Sequence, residues 1–113
     1  MQKNAPKIKK GDVYILDNSN ADGHVQKGIR PHVVVTQVTG STVTLAPCTS
    51  TMKNRQYSVK VLPSVTNGLT KSSFVLIAQS FAADTSLLRH KIGTLDIQDI
   101  LRIQLEYVKY VTD

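Results

Sequence analysis

From residue 12 to residue 81 the chain alternates between apolar and polar side chains in short runs. Each run is closed by turn-forming residues, and beyond residue 96 the alternation stops. This change of period limits the fold more than any other feature of the sequence. Alternation at two lines one face of a strand, whereas apolar recurrence at three and four lines one face of a helix. Strands are predicted over residues 12–16 (DVYIL), 32–38 (HVVVTQV), 42–47 (TVTLAP), 57–62 (YSVKVL) and 73–81, the last with an apolar centre. The connections carry loop chemistry. Residues 18–28 are rich in Asn, Asp, Ser and Gly, Thr39-Gly40 is a turn signal, and residues 48–56 are polar. Residues 63–68 form a turn region whose strongest element is Asn67-Gly68.

After Asp84 comes a short segment, and then Ile100, Leu101, Ile103, Leu105, Tyr107, Val108 and Tyr110 recur at helical spacing. Asp96 stands where its carboxylate can accept the exposed amide hydrogens of a first helical turn. The apolar residues cover more than one face of this helix. One face can pack on the sheet and another on something else, such as a second copy of the chain. Hairpin-length connections imply an antiparallel sheet curled into a small barrel with the helix across it. With 113 residues the expectation is one domain over residues 1–113, residues 1–10 being a lysine-rich lead-in.

Charge narrows the function. Lys plus Arg is 14 and Asp plus Glu is 8, a formal balance of +6. No acid lies between Gly23 and Ala83, a stretch that carries Lys27, Arg30, Lys53, Arg55, Lys60 and Lys71. A field of this sign favours a polyanion or an acidic protein partner; a solvated basic surface would serve solubility alone. The gap also excludes acid/base work by paired carboxylates within the middle of the chain. The longest apolar runs, Val33-Val34-Val35 and Phe74-Val75-Leu76-Ile77-Ala78, fall far short of the roughly 18 residues of a membrane span. The basic start has no apolar stretch after it, so no secretory signal is expected. Cys48 is the single cysteine, which excludes an internal disulfide framework and fits a reducing, cytoplasmic setting. It reads as a small buried hydrophobe. No dinucleotide or phosphate-binding glycine loop is present, and His24, His32 and His90 lack metal-ligand spacing. No cofactor and no metal are expected.

Two segments can carry chemistry. In the first, Gly23 to Val35, Arg30 sits between a glycine-containing loop and a strand, held extended by Pro31. A guanidinium fixed at the root of a strand is placed for a phosphate, its forked donors matching the oxygens. Pairing with Asp17 or Asp22 is the alternative. His24, in the same loop, could move a proton or simply be exposed. In the second segment a strand ends at Pro47 and runs through Cys48 into Thr49, Ser50 and Thr51. Hydroxyls there can hold a phosphate oxygen or cap the loop backbone, and the residues alone favour capping.

In order, Gly11-Asp12-Val13-Tyr14, then Gly23-His24, Gln26, Gly28 and Arg30-Pro31, then Pro47, Thr49 and Ser50 resemble the MazF/PemK family of toxin endoribonucleases. Gly68-Leu69, Ser73, Val75-Leu76, Gln79, Asp84 and Lys91-Ile92-Gly93-Thr94-Leu95 continue the resemblance, which spans about residues 8–110. It implies a mainly β fold with a C-terminal α-helix, a small SH3-like antiparallel β-barrel that forms a homodimer. It also implies metal-independent, sequence-specific cleavage of single-stranded RNA. The ribose 2′-hydroxyl attacks the neighbouring phosphate, leaving a 2′,3′-cyclic phosphate and a 5′-hydroxyl.

By the same resemblance Arg30 faces the developing phosphate charge. Thr49 hydrogen-bonds the phosphate or polarises the attacking hydroxyl, and His24 is the candidate base or phosphate ligand. Gln26, Lys27, Ser50, Lys53, Arg55 and Gln79 are the candidate RNA contacts. A cognate antitoxin with an acidic, flexible segment is the implied inhibitor.

Two positions depart from the pattern. Ala78 stands where many relatives carry an acid, and Phe81 where many carry an arginine. These leave the base unassigned and keep two alternatives in view: an RNA binder that no longer cuts, and a gyrase-targeting toxin of the same barrel type. The latter depends on the helix end, and residues 107–113 lack the tryptophan such a toxin would show.

Overall fold

The computed structural model describes residues 7–17, 28–51 and 56–113. Among these residues seven strands are followed by one α-helix: β1 (Asp12–Asp17), β2 (Ile29–Val34), β3 (Thr42–Thr49), β4 (Ser58–Val61), β5 (Ser73–Leu76), β6 (Phe81–Asp84), β7 (His90–Thr94) and α1 (Ile97–Thr112). Every pairing is antiparallel, in the order β4-β5-β3-β2-β1-β7, with β6 also on β3. The mainly β architecture with a C-terminal helix is as expected. The curled sheet is not closed by a strand pair between its ends. A hydrogen bond from the Thr94 amide to the Thr66 carbonyl (2.8 Å) ties β7 to the turn after β4 instead.

That approach is close enough to require glycine on both sides. A Cβ at Gly68, whose φ is +72°, would collide with the Ile92 carbonyl, and one at Gly93 would lie 2.6 Å from the Asn67 oxygen. Asn67, fully buried, holds the turn. Its side-chain oxygen accepts from the amides of Ser64 (3.0 Å) and Leu69 (2.9 Å), and its amide donates to Leu62 (2.9 Å). The expected turn signal at Asn67-Gly68 therefore sits where the barrel is drawn together.

The sheet buries both faces. Val13, Val33, Ala46, Cys48, Val61, Val75 and Ile77 pack with Leu95 and Ile103 under α1. Their alternate neighbours Tyr14, Leu16, Val34, Val43 and Leu45 form a second cluster with Ala83. The period of two in β1 to β3 thus serves two apolar clusters rather than one. Asp12 is also buried, and it joins three segments. It accepts from the Lys9 amide (2.9 Å) and the Thr94 hydroxyl (2.9 Å) and pairs with Lys91 (3.3 Å).

Several boundaries differ from the sequence expectation. The run 73–81 is broken by a 3-10 turn, Ile77–Gln79, because the chain changes register on one long strand. β5 pairs with Cys48 and Thr49, whereas β6 pairs with Thr42 to Leu45 of the same β3. Ser80 seals the step by donating its hydroxyl to the Ile77 carbonyl (2.7 Å). Cys48 and Thr49 belong to β3 rather than to the following loop, and β2 spans Ile29–Val34 rather than residues 32–38. β4 begins at Ser58, since Tyr57 has φ +57° and cannot extend a strand. The segment after Asp84 contains β7, whose exposed, polar start hid it.

α1 begins where expected. The Asp96 carboxylate accepts the Asp99 amide (2.9 Å) as N-cap, and Arg102 is fixed between Asp99 (2.7 Å) and the Lys60 carbonyl (2.7 Å). Its inner face presents buried Ile103 with Ile100 and Tyr107, and Tyr107 hydrogen-bonds Ser80. Its outer face leaves Ile97, Leu101, Leu105, Val108 and Val111 exposed. No helix among the described residues is long and apolar enough to cross a membrane.

Candidate RNA-cleavage site

Gly28, at φ +99°, turns the chain into β2 in a backbone region that L side chains rarely adopt. Arg30 and Pro31 follow, paired with Leu16 and Ile15 of β1. On the other side β2 pairs with β3, His32 opposite Pro47 and Val33 opposite Ala46. Continuing this register by two residues sets Arg30 opposite Thr49. There β3 has already left β2 and pairs with β5, Thr49 facing Phe74. The strands splay at this point and a cavity of about 300 Å3 opens between them.

Arg30, Thr49 and Ser50 line this cavity with Leu69, Thr70, Lys71 and Ser73. Arg30 Nη1 donates to the Cys48 carbonyl at 3.0 Å, which spans the splay and anchors the guanidinium beside the hydroxyls. Thr49 is buried. Its hydroxyl oxygen accepts the Thr51 amide (3.2 Å) and lies 3.2 Å from the Thr51 hydroxyl. The capping reading of Thr49 therefore holds. A capping hydroxyl oxygen still has a proton to donate, so capping and phosphate contact are compatible. Cys48 is not a nucleophile here, because complete burial pushes its thiol up to about 12.

His32 fixes the backbone that carries Arg30. Its Nδ1–H donates to the Arg30 carbonyl at 2.9 Å, and its ring meets Phe81 edge-on at 5.8 Å. The carbonyl can only accept, so Nε2 carries the lone pair, and it has no hydrogen-bond partner among the described residues. Burial lowers the imidazole to about 4, with the nearby Arg30 charge adding to the effect against the bond to the Arg30 carbonyl. His32 is thus a neutral structural histidine. Phe81, the departure noted above, is its packing partner.

The candidate site residues are thus sorted by position. Arg30, Thr49 and Ser50 come together. Gln79, on the 3-10 turn, is not among the cavity's lining residues. His24, Gln26, Lys27, Lys53 and Arg55 lie outside the described residues. Sequence reasoning missed Lys71, Thr70 and Ser73. The available signal was Lys71's place in the acid-free stretch, between Gly68-Leu69 and Ser73 of a motif block. Ala78 is exposed and has no group that could transfer a proton. Among the described residues no group of three or more His, Cys, Asp or Glu side chains could hold a metal ion.

Over residues 9–107 the chain matches the family described as PemK-like, MazF-like toxin of type II toxin-antitoxin system. It is 29% identical over 101 residues to Endoribonuclease MazF of Staphylococcus epidermidis, covering 85% of this chain and 84% of that protein. Among solved structures, MazF from Deinococcus radiodurans superposes with a TM-score of 0.74 at 19% identity, covering 98% of this chain and 100% of that one. The MazE-MazF structure from the same organism gives 0.71 at 16% identity, over 97% and 98% of the two chains. The structural likenesses show the shared fold, and the match over residues 9–107 shows the lineage: the chain belongs to the PemK-like, MazF-like toxins of type II toxin-antitoxin systems.

Proposed function

We propose that the chain is a sequence-specific endoribonuclease that cuts single-stranded RNA without a metal and arrests growth by destroying messages. The observation that carries this reading is the cavity at the splay of β2 and β3, where Arg30 and Thr49 meet beside Lys71. The MazF relative of S. epidermidis, named an endoribonuclease, supports it. The substrate supplies its own nucleophile. The 2′-oxygen bonds to phosphorus, the bond from phosphorus to the 5′-oxygen breaks, and a 2′,3′-cyclic phosphate and a 5′-hydroxyl remain. One proton leaves the 2′-hydroxyl and one reaches the departing oxygen.

Arg30 stabilises the charge that builds on the phosphate oxygens, and the Thr49 hydroxyl donates to one of them. Arg30 is a poor proton donor, so its role is electrostatic. Among the described residues none that lines the cavity is a carboxylate, and His24 is the candidate for proton transfer. Ser50 and Lys71 contact the flanking backbone, as do Gln26, Lys27, Lys53, Arg55 and Gln79 where the RNA runs on. The working form is a cytoplasmic homodimer. Its inhibitor is an antitoxin whose acidic segment enters the same basic cavity, and the fold shared with the MazE-MazF structure supports this. Residues 1–113 act as one domain.

The test is incubation of purified protein with a long RNA in the presence of EDTA, followed by mapping of the cut ends. Cuts at a repeated short motif with 5′-hydroxyl ends are expected. Tight RNA binding with no cutting would favour the second reading, a binder, to which Ala78 points by offering no proton-transfer group.

A further inference from the structure

The chain carries two phenylalanines, and the fold uses them differently. Phe81 packs against the cluster of Tyr14, Leu16 and Val34 and meets His32 edge-on. Phe74, in β5, belongs to neither apolar cluster and has no ring partner among the described residues. The strand registers fix its direction. Cys48, Val75 and Val59 stand opposite one another across β3, β5 and β4, and all three are buried in the cluster under α1. Side chains alternate along a strand, and directly opposed residues share a face. The next row, Thr49, Phe74 and Lys60, therefore faces away from that cluster.

This row starts at the Arg30 cavity. Thr49 lines the cavity, and Phe74 is its cross-strand neighbour, the Cβ atoms of such a pair lying about 5 Å apart. Lys60 is one strand further on, about 10 Å from Thr49 at the usual strand spacing. Phe74 is half-buried and Lys60 is exposed. The Lys60 ammonium has no ion-pair partner among the described residues: Asp99 pairs with Arg102, which itself donates to the Lys60 carbonyl. An aromatic ring left out of both clusters thus stands between a hydroxyl of the cleavage site and an unneutralised cation.

We infer that Phe74 is the stacking platform for the base next to the scissile phosphate, with Lys60 holding the following phosphate. The inference rests on the reading of Arg30 and Thr49 as the cleavage site. With a phosphate held there, the adjoining base is the nearest part of the RNA with a flat apolar face, and Phe74 offers the matching one. Every base has such a face, so the platform adds affinity without reading sequence. It reads strandedness instead. A base inside a duplex is paired and stacked on both sides, and only one splayed out of a single strand can lie on Phe74. The Lys60 ammonium then serves as a point charge for the backbone that continues past the ring.

The chain has no tryptophan, so Phe74→Trp supplies a single fluorescent reporter at this position. The probe is a mixed-sequence RNA carrying 2′-O-methyl groups, which block the attacking hydroxyl and leave binding to be measured alone. Its single-stranded form should quench the tryptophan emission, whereas its duplex and inorganic polyphosphate should not. Phe74→Leu should weaken binding of the same single strand about tenfold or more, with affinity for polyphosphate at the parent level, and Phe74→Tyr should bind like the parent. Lys60→Gln should lower the salt slope of binding by about 0.7 and leave the quench at Phe74→Trp in place. Quenching by polyphosphate, or single-strand binding by Phe74→Leu equal to the parent's, would overturn the inference, while RNA cleavage by the parent would keep the Arg30 reading standing. RNA neither bound nor cut by the parent would remove that reading and this one together.

Discussion

At its first residues β2 carries Arg30 into a small cavity whose walls are hydroxyls from Thr49, Ser50, Thr70 and Ser73, whereas beyond its last residue Val38 faces a cavity twice as large, walled by Ile8, Ile97 and Ile100. Both carry positive charge. Their walls differ in chemistry. A guanidinium anchored by a carbonyl and flanked by short donors meets a compact anion whose oxygens accept from all of them. Ammonium groups on long stems around an aliphatic concavity hold no oxyanion in a fixed fork. Net charge alone, which the sequence makes plain, does not separate the two.

Substitutions can break this division, and the largest effect belongs to Arg30→Ala. It should lower RNA cleavage by about 10³-fold or more and abolish growth arrest. A folded Arg30→Ala protein that still cuts would remove the site altogether. Thr49→Ala should cost about 10²–10³ in the rate of single-turnover cleavage, the cost of one oxyanion-type donor. Unchanged cleavage would confine Thr49 to capping.

His32, in the strand between the two cavities, predicts a pH effect on stability. In the unfolded chain it takes up a proton near pH 6.5, in the folded chain only near 4. Between those values the unfolded state binds more protons. Stability therefore falls as pH drops from 6.5 towards 4, by on the order of 3 kcal/mol, and levels off below. Urea unfolding at several pH values should show this slope, and His32→Gln should flatten it. Lys71→Gln should have the smallest effect. It should weaken RNA binding severalfold and reduce the salt slope by about 0.7, the change for one phosphate contact on a single strand. An unaltered slope would take Lys71 out of the groove.

The sequence carried the class of fold because alternation and helical spacing are local signals. The Asp96 cap and the Asn67-Gly68 turn were legible for the same reason. Two features were not. The break at Ile77 follows from a demand of β3, which takes β5 and β6 on one edge at different stretches, and no local pattern encodes that. β7 was hidden because its residues are polar and half exposed, and it is a strand only because β1 and the Thr66 carbonyl receive it. At the site, Arg30 and Thr49 stood out through their places beside Pro31 and Pro47. Lys71 had no such marker. It enters the cavity because β5 pairs with Thr49, a contact between residues far apart in the chain.

The bond from the Thr94 hydroxyl to Asp12 spans 82 residues, and the Leu95 amide reaches the Gly11 carbonyl beside it (2.9 Å). During synthesis β1, β2 and β3 emerge first, but β1 waits for its second neighbour until almost the whole chain has been made. At about 5–20 residues per second the delay between Thr49 and Thr94 amounts to some seconds. The barrel is therefore sealed by its last strand, and long-range closure of this kind is slow in its own right. For a chain that cuts RNA as proposed, this order of assembly keeps the nascent molecule incomplete while its own message is still being read.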